Sequence, residues 1–138
     1  LSKSYSLAGL RVGVGITTPA LAAELNKVKD SYNVSRLAQA GAVAALDDQA
    51  SMRAHVAQVR STRARLVQEL ERLGYMVPPS QTNFVLARRP GQSQQRVKEA
   101  LQSRGVLVRY FAELPDALRI TIGTDAEIDR LLAELRDL

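Results

Sequence analysis

The sequence predicts an α/β fold, with helices covering one face of a mainly antiparallel sheet. Three observations carry that expectation. Beyond Gly74 the chain alternates between two kinds of apolar spacing, in the order strand, helix, strand, strand, helix. Before Gly74 a long segment spaces its apolar residues at steps of three, four or seven, one face of a 3.6-residue period. Between these stretches stand glycine, proline and small polar residues of the kinds that turn a chain.

The elements follow in order. In Leu10–Thr18, Val12, Val14 and Ile16 alternate with Arg11, Gly13 and Gly15, which is a strand pattern. Glycines on one side of it predict close packing of backbone or ligand there. Thr18 then reads as an N-cap, with Pro19 at the first helical position of a helix running to about Lys29. After the break at 30–35, Ser35 caps a second helix from Arg36 to about Leu46. That helix is alanine-rich and apolar on nearly every side, so it is expected to be buried against several neighbours. A longer helix starts in the segment 47–51 and reaches Leu73, with Met52, Val56, Val59, Leu66, Leu70 and Leu73 on one face and Gly74 just past its end.

In the second half, residues 75–89 predict a strand, a proline-bearing turn and a second strand, Asn83 to Ala87. Pro90–Gly91 turns the chain into a helix opened by Ser93, carrying Val97, Ala100 and Leu101 and ended by Gly105. Residues 106–111 form a strand by β-branched and aromatic content, 113–117 a turn, and 118–123 another alternating strand. Thr124 and Glu127 have the spacing of a capping box, and Ile128, Leu131, Leu132 and Leu135 give the last helix its stripe.

Composition narrows the function classes. The 138 residues are 46% hydrophobic and 24% charged, which suits a globular domain with a real core. There is no run of eighteen apolar residues, and Leu1–Gly15 lacks the basic and apolar regions of a signal peptide. Cysteine is absent, which excludes disulfides and thiolate metal sites and suits a cytoplasmic protein. The net charge of +5 is spread along helices and interleaved with acids, without aromatic neighbours. It reads as solvated helix faces, not as a nucleic-acid footprint. His55, the single histidine, has no second His or Cys to form a metal site with, and reads as structural or surface.

Candidate chemistry gathers on basic residues. Lys3 lies in a Ser/Tyr-rich loop, where a neutral amine could attack an aldehyde, and Ser2 beside it offers a hydroxyl to a phosphate. Arg11, eight residues on, carries a planar fork suited to phosphate, with Gly9 and Gly13 allowing close approach. This glycine spacing matches neither a dinucleotide loop nor a P-loop. If Leu118, Ile120 and Ile122 face the core, Arg119 and Thr121 must face the other way. Arg109 is placed similarly on the preceding strand, so the two arginines are able to converge on one anion. By residue type alone, each of these residues reads first as an ordinary solvated surface position.

The segment LSKSYSLAGLRVGVGI resembles the lysine segment of pyridoxal-phosphate aminotransferases of fold type I, nearest to their histidinol-phosphate branch. SYNVSRLAQAGAVAAL, QTNFVLA, GVLVRYF and ALRITIGT are similar to later segments of that family, in family order, so the resemblance covers essentially the whole chain. It implies that pyridoxal 5′-phosphate is held covalently on Lys3, which then serves as the base that moves a proton. It implies cofactor phosphate binding by Arg11 and Ser2, and substrate-anion binding by Arg119 with help from Arg109. The implied reaction moves the amino group of a small-molecule donor, L-histidinol phosphate, to a 2-oxo acid, 2-oxoglutarate, giving imidazole-acetol phosphate and glutamate in histidine biosynthesis. An aromatic aminotransferase, a threonine-phosphate decarboxylase-like enzyme and a non-catalytic α/β interaction domain stay open beside it, since fold alone cannot choose. The resemblance further implies a homodimer, with residues 1–49 as the remnant of a large cofactor-binding domain and residues 50–138 as a small C-terminal domain. The family's large domain lies mostly upstream of its lysine, so Leu1 is expected not to be a natural N-terminus and these residues alone are expected to be inactive.

Overall fold

The computed structural model describes residues 1–138, which form two compact units, Leu1–Val56 and Ala57–Leu138. Five helices and three strands occur in the order α1 (Pro19–Val28), α2 (Arg36–Asp47), α3 (Gln49–Arg72), β1 (Phe84–Arg88), α4 (Gln95–Ser103), β2 (Arg109–Phe111), β3 (Leu114–Thr121) and α5 (Asp125–Arg136).

In the first unit the helix signals hold. The Thr18 hydroxyl accepts from the Leu21 amide at 3.4 Å and Ser35 accepts from Ala38 at 3.2 Å, so both helices start at their sequence caps. The strand expected over Leu10–Thr18 does not form. A 3-10 turn occupies Ala8–Leu10, and residues 12–18 run outside any sheet with Ile16 97% exposed. A strand satisfies its backbone only against a neighbouring strand, and all three strands of this chain lie beyond residue 83. No atom of the chain comes within 4 Å of a Cβ built on Gly9, Gly13 or Gly15, so no backbone of the chain packs closely there. α2 is likewise not buried all round. Ala38 and Ala42 are buried, whereas Leu37 is 81% exposed and Val43 and Leu46 are also exposed.

The second unit closes on itself. α3 ends as its glycine predicts: Gly74 adopts φ +83°, its amide donates to Glu71 O and that of Tyr75 to Leu70 O. β3 is the central strand, antiparallel to β1 and β2, with Val85 opposite Ile120 and Tyr110 opposite Leu118. One sheet face carries Val85, Ala87, Leu118 and Ile120 into a core with Leu66 and Leu70 of α3, Leu101 of α4, and Ile128, Leu131, Leu132 and Leu135 of α5. This is the predicted layer of helices on one side of an antiparallel sheet.

Three boundaries differ from expectation. Residues 75–77 contribute an isolated bridge, Met76 to Arg88, in place of a strand, because Pro78 and Pro79 follow at once. The strand over 106–111 shortens to Arg109–Phe111. The turn expected at 113–117 is instead the start of β3, from Leu114. Pro115 is accommodated near the strand's beginning, and Asp116 gains a partner, accepting from Arg88 Nη2 at 2.7 Å.

α5 begins with the complete capping box. Thr124 Oγ1 accepts from the Glu127 amide at 3.3 Å, and Glu127 Oε2 accepts from the Thr124 amide at 2.7 Å. The Thr124 amide and, at 2.9 Å, the Thr124 hydroxyl donate to that carboxylate, which favours its ionised form and holds Glu127 below the usual glutamate pKa. Asp125, in the first turn, accepts from Thr62 at 2.9 Å, Gln58 at 2.8 Å and Arg65 at 3.1 Å, all on α3.

Candidate functional site

The first group of basic residues lies on a loop built from two tight turns. The Ser6 amide donates to Lys3 O at 3.0 Å, closing a turn that begins at Lys3, and Leu10 donates to Leu7 O at 3.1 Å in the next. Ser6 (φ 56°) and Arg11 (φ 55°) are the non-glycine residues in left-handed conformation. Such backbone is strained and persists where the surroundings impose it. Two attachments do so here. The Tyr5 hydroxyl accepts from Gln49 Nε2 at 3.0 Å. On the other turn, the Leu10 side chain lies so close to α2 that a Cβ on Gly41 would fall 2.7 Å from its Cδ1. Lys3 and Arg11 are exposed on this pinned loop, Ser2 is half-buried, and Arg11 Nη1 donates to Ala8 O at 3.3 Å. The structure therefore brings Ser2, Lys3 and Arg11 onto one short loop.

The second group lies on the sheet face away from the core. Arg109 of β2 and Arg119 of β3 are direct register partners across the antiparallel pair. Side chains opposite one another on such a pair are close neighbours, and like charges there repel. No carboxylate offsets them. The ion pairs of this unit engage Arg65, Arg72, Arg88, Arg104 and Arg136 with Asp125, Asp129, Glu69, Asp116 and Glu134. Arg119 Nε is buried and has no hydrogen-bond partner. The Arg119 guanidinium carbon instead stands 5.3 Å from the Phe84 ring centre and 5.7 Å from that of Phe111, and that of Arg109 stands 5.4 Å from Phe111.

Sequence reasoning places both arginines on this face but overlooks the two rings. The side on which the rings stand follows from the register of the sheet. Phe84 is the register partner of Thr121, so the alternation that turns Arg119 outward turns Phe84 outward with it.

Chemically, the loop offers one primary amine, one guanidinium and one hydroxyl. Those are the donors an aldehyde bearing a phosphate would require, so pyridoxal phosphate fits Lys3, Arg11 and Ser2. The arginine pair offers two planar cationic forks with an unused donor, suited to a carboxylate or phosphate.

A family model for class I and II aminotransferases matches residues 1–135. The chain belongs to that family. Among curated relatives of this aminotransferase chain, the histidinol-phosphate aminotransferase of Synechocystis is 49% identical over the whole chain, and that of Geobacter sulfurreducens 46%. The chain spans about 40% of the length of each. Among solved structures, histidinol-phosphate aminotransferase from Sinorhizobium meliloti in complex with pyridoxal-5′-phosphate superposes with a TM-score of 0.85 at 32% identity. The match covers 99% of this aminotransferase chain and 39% of that one.

Proposed function

We propose that this chain carries the lysine, part of the phosphate site and the substrate-anion arginines of an aminotransferase that moves the amino group of L-histidinol phosphate to 2-oxoglutarate in histidine biosynthesis. The observation that carries the reading is the unpaired Arg109–Arg119 couple on the uncovered sheet face, in a chain 49% identical to an enzyme so named. Both reactants bring an anionic end, a phosphate on one and carboxylates on the other, and a guanidinium fork accepts either oxygen geometry. Residues 1–49 belong in this reading to a larger cofactor-binding domain and residues 50–138 to a small domain. The active form is a cytoplasmic homodimer.

Bound pyridoxal phosphate supplies an electron sink that stabilises negative charge at the substrate α-carbon. Lys3 attaches the cofactor through its amine. The same amine, when not attached to the cofactor, would serve as the base that takes up the proton of the substrate α-carbon. Arg11 and Ser2 hold the phosphate, Arg11 by charge and fork geometry and Ser2 by its hydroxyl. Arg119 seats the substrate anion, Arg109 assists, and together they orient the amine end toward the reacting atoms.

The test is chemical labelling. The 138-residue chain is mixed with pyridoxal phosphate, reduced with borohydride and mapped by mass spectrometry. Label is expected at Lys3, weakly and without turnover, because the relatives carry about three fifths of their length outside the matched region. Label spread evenly over Lys27, Lys29 and Lys98, or unchanged in Lys3→Ala, refutes the assignment of Lys3.

A further inference from the structure

We propose that Phe84 and Phe111 are positioning residues that form a two-ring cradle for the substrate-anion arginines. The proposal rests on the reading of Arg109 and Arg119 given above. Two cations held opposite each other, with no acid between them and one buried guanidinium nitrogen unpartnered, need something to keep them in place. In ordinary surface chemistry the long side chains would swing apart into water, gaining rotamer freedom and relieving their repulsion. Here the Arg119 guanidinium is flanked by two rings, and Phe111 is shared with Arg109, all within the range of cation–π attraction.

The strand geometry accounts for the sharing. Phe84, Arg119, Arg109 and Phe111 lie on one sheet face across all three strands, with Arg119 on the central strand between them. The register shifts between Tyr110 and Phe111, so that Phe111 stands opposite Leu114. The rings add no charge and no hydrogen bond to an incoming anion. They hold the two forks in place beforehand, so that binding immobilises little that is not already fixed.

The cradle predicts that removing a ring weakens anion binding while leaving both charges in place. The probe is inorganic phosphate, titrated into the ¹⁵N-labelled 138-residue chain and followed at the arginine Nε–Hε resonances. In the wild-type chain the Arg119 resonance should move on phosphate addition and show contacts to the ring protons of Phe84 and Phe111. Phe111→Leu and Phe84→Leu should each weaken phosphate binding about 2- to 5-fold, from cation–π attraction at partly exposed sites. Phe111→Tyr and Phe84→Tyr, which keep a ring, should restore it. A purely structural role would move the unfolding midpoint and spare the Nε–Hε shift and the tyrosine rescue.

Unchanged phosphate affinity in both leucine variants overturns the cradle while leaving the anion site standing. Absence of ring contacts to Arg119 in the wild-type chain overturns the cradle independently of whether any variant folds. A wild-type chain in which neither Arg109 nor Arg119 responds to phosphate overturns the anion-site reading, and the cradle with it.

Discussion

Leu101 and Leu25 each lie on an amphipathic helix, yet Leu101 in α4 is fully buried and Leu25 in α1 is 55% exposed. The contrast extends to their units. Residues 57–138 build a three-stranded sheet and lay α3, α4 and α5 on one side of it, so each helical stripe meets another apolar surface. Residues 1–56 build helices only, and Val14, Ile16, Leu21, Val28, Val34 and Leu37 are left toward solvent. A helix satisfies its own backbone and forms wherever its caps and spacing allow, whereas a strand needs a neighbour. The first unit therefore has its predicted helices and lacks its predicted strand.

The strongest way to break this comparison is to truncate both leucines. Leu101→Ala should cost about 2–5 kcal/mol, the usual range for a fully buried leucine. Leu25→Ala should cost less than about 0.5 kcal/mol, as exposed substitutions do. Urea unfolding of the two variants measures both. Similar losses would mean that the first unit is packed after all.

A smaller test compares the caps. Thr124→Ala removes the capping box of α5, a helix whose whole stripe is in the core, and should lower the stability of the second unit by about 1 kcal/mol. Ser35→Ala removes the cap of α2, where Ala38 and Ala42 are the buried residues. It should lower helix content by circular dichroism while leaving the unfolding midpoint of the second unit within about 0.3 kcal/mol, since distant sites act independently. A shift as large as that of Thr124→Ala would show the two helices to be energetically joined.

The same contrast governs how much the sequence reveals. Caps, helix periods and the outward direction of Arg119 are local, set by residues two to four apart, and Thr18, Ser35, Thr124 and Gly74 each do what their identity implies. The exposed α2, the bare alternation of Val12, Val14 and Ile16, and the early start of β3 depend on what lies alongside. Leu114–Ala117 looks like a turn because of Pro115 and Asp116, and becomes strand only through pairing with β1 and β2. At the candidate site, Lys3, Arg11, Arg109 and Arg119 stand out by residue type. The pairing of the two arginines and their seat on two rings needed the register of the sheet.

The smallest predicted effect concerns acid. Asp125 has a pKa below the ordinary aspartate value, chiefly because Thr62 and Gln58 donate to its carboxylate, with Arg65 adding a further bond and its charge. The folded state thus holds the ionised form more tightly than the unfolded chain does. Its contribution is fully present above the unfolded aspartate pKa of 3.8 and disappears as pH falls through the lower folded value. Lowering pH from about 5 toward 2.5 should reduce the urea midpoint of the second unit, and Asp125→Asn should flatten part of that slope. Glu127, held low by its cap bonds, titrates in the same direction, so some slope should survive in Asp125→Asn and diminish further in the Asp125→Asn, Glu127→Gln double variant. Residues 1–56 have one such acid, Asp48, whose carboxylate has a lowered pKa and accepts from the Ser51 amide at 3.0 Å. The Ser51 hydroxyl is the larger cause of that lowering and the Ser51 amide the next. Asp48 caps the start of α3, so Asp48→Asn should change helix content in acid and leave the midpoint of the second unit in place. If Asp48→Asn instead removes as much slope as Asp125→Asn, the acid response is not confined to the unit that owns the sheet, and the division between the two regions fails in solution.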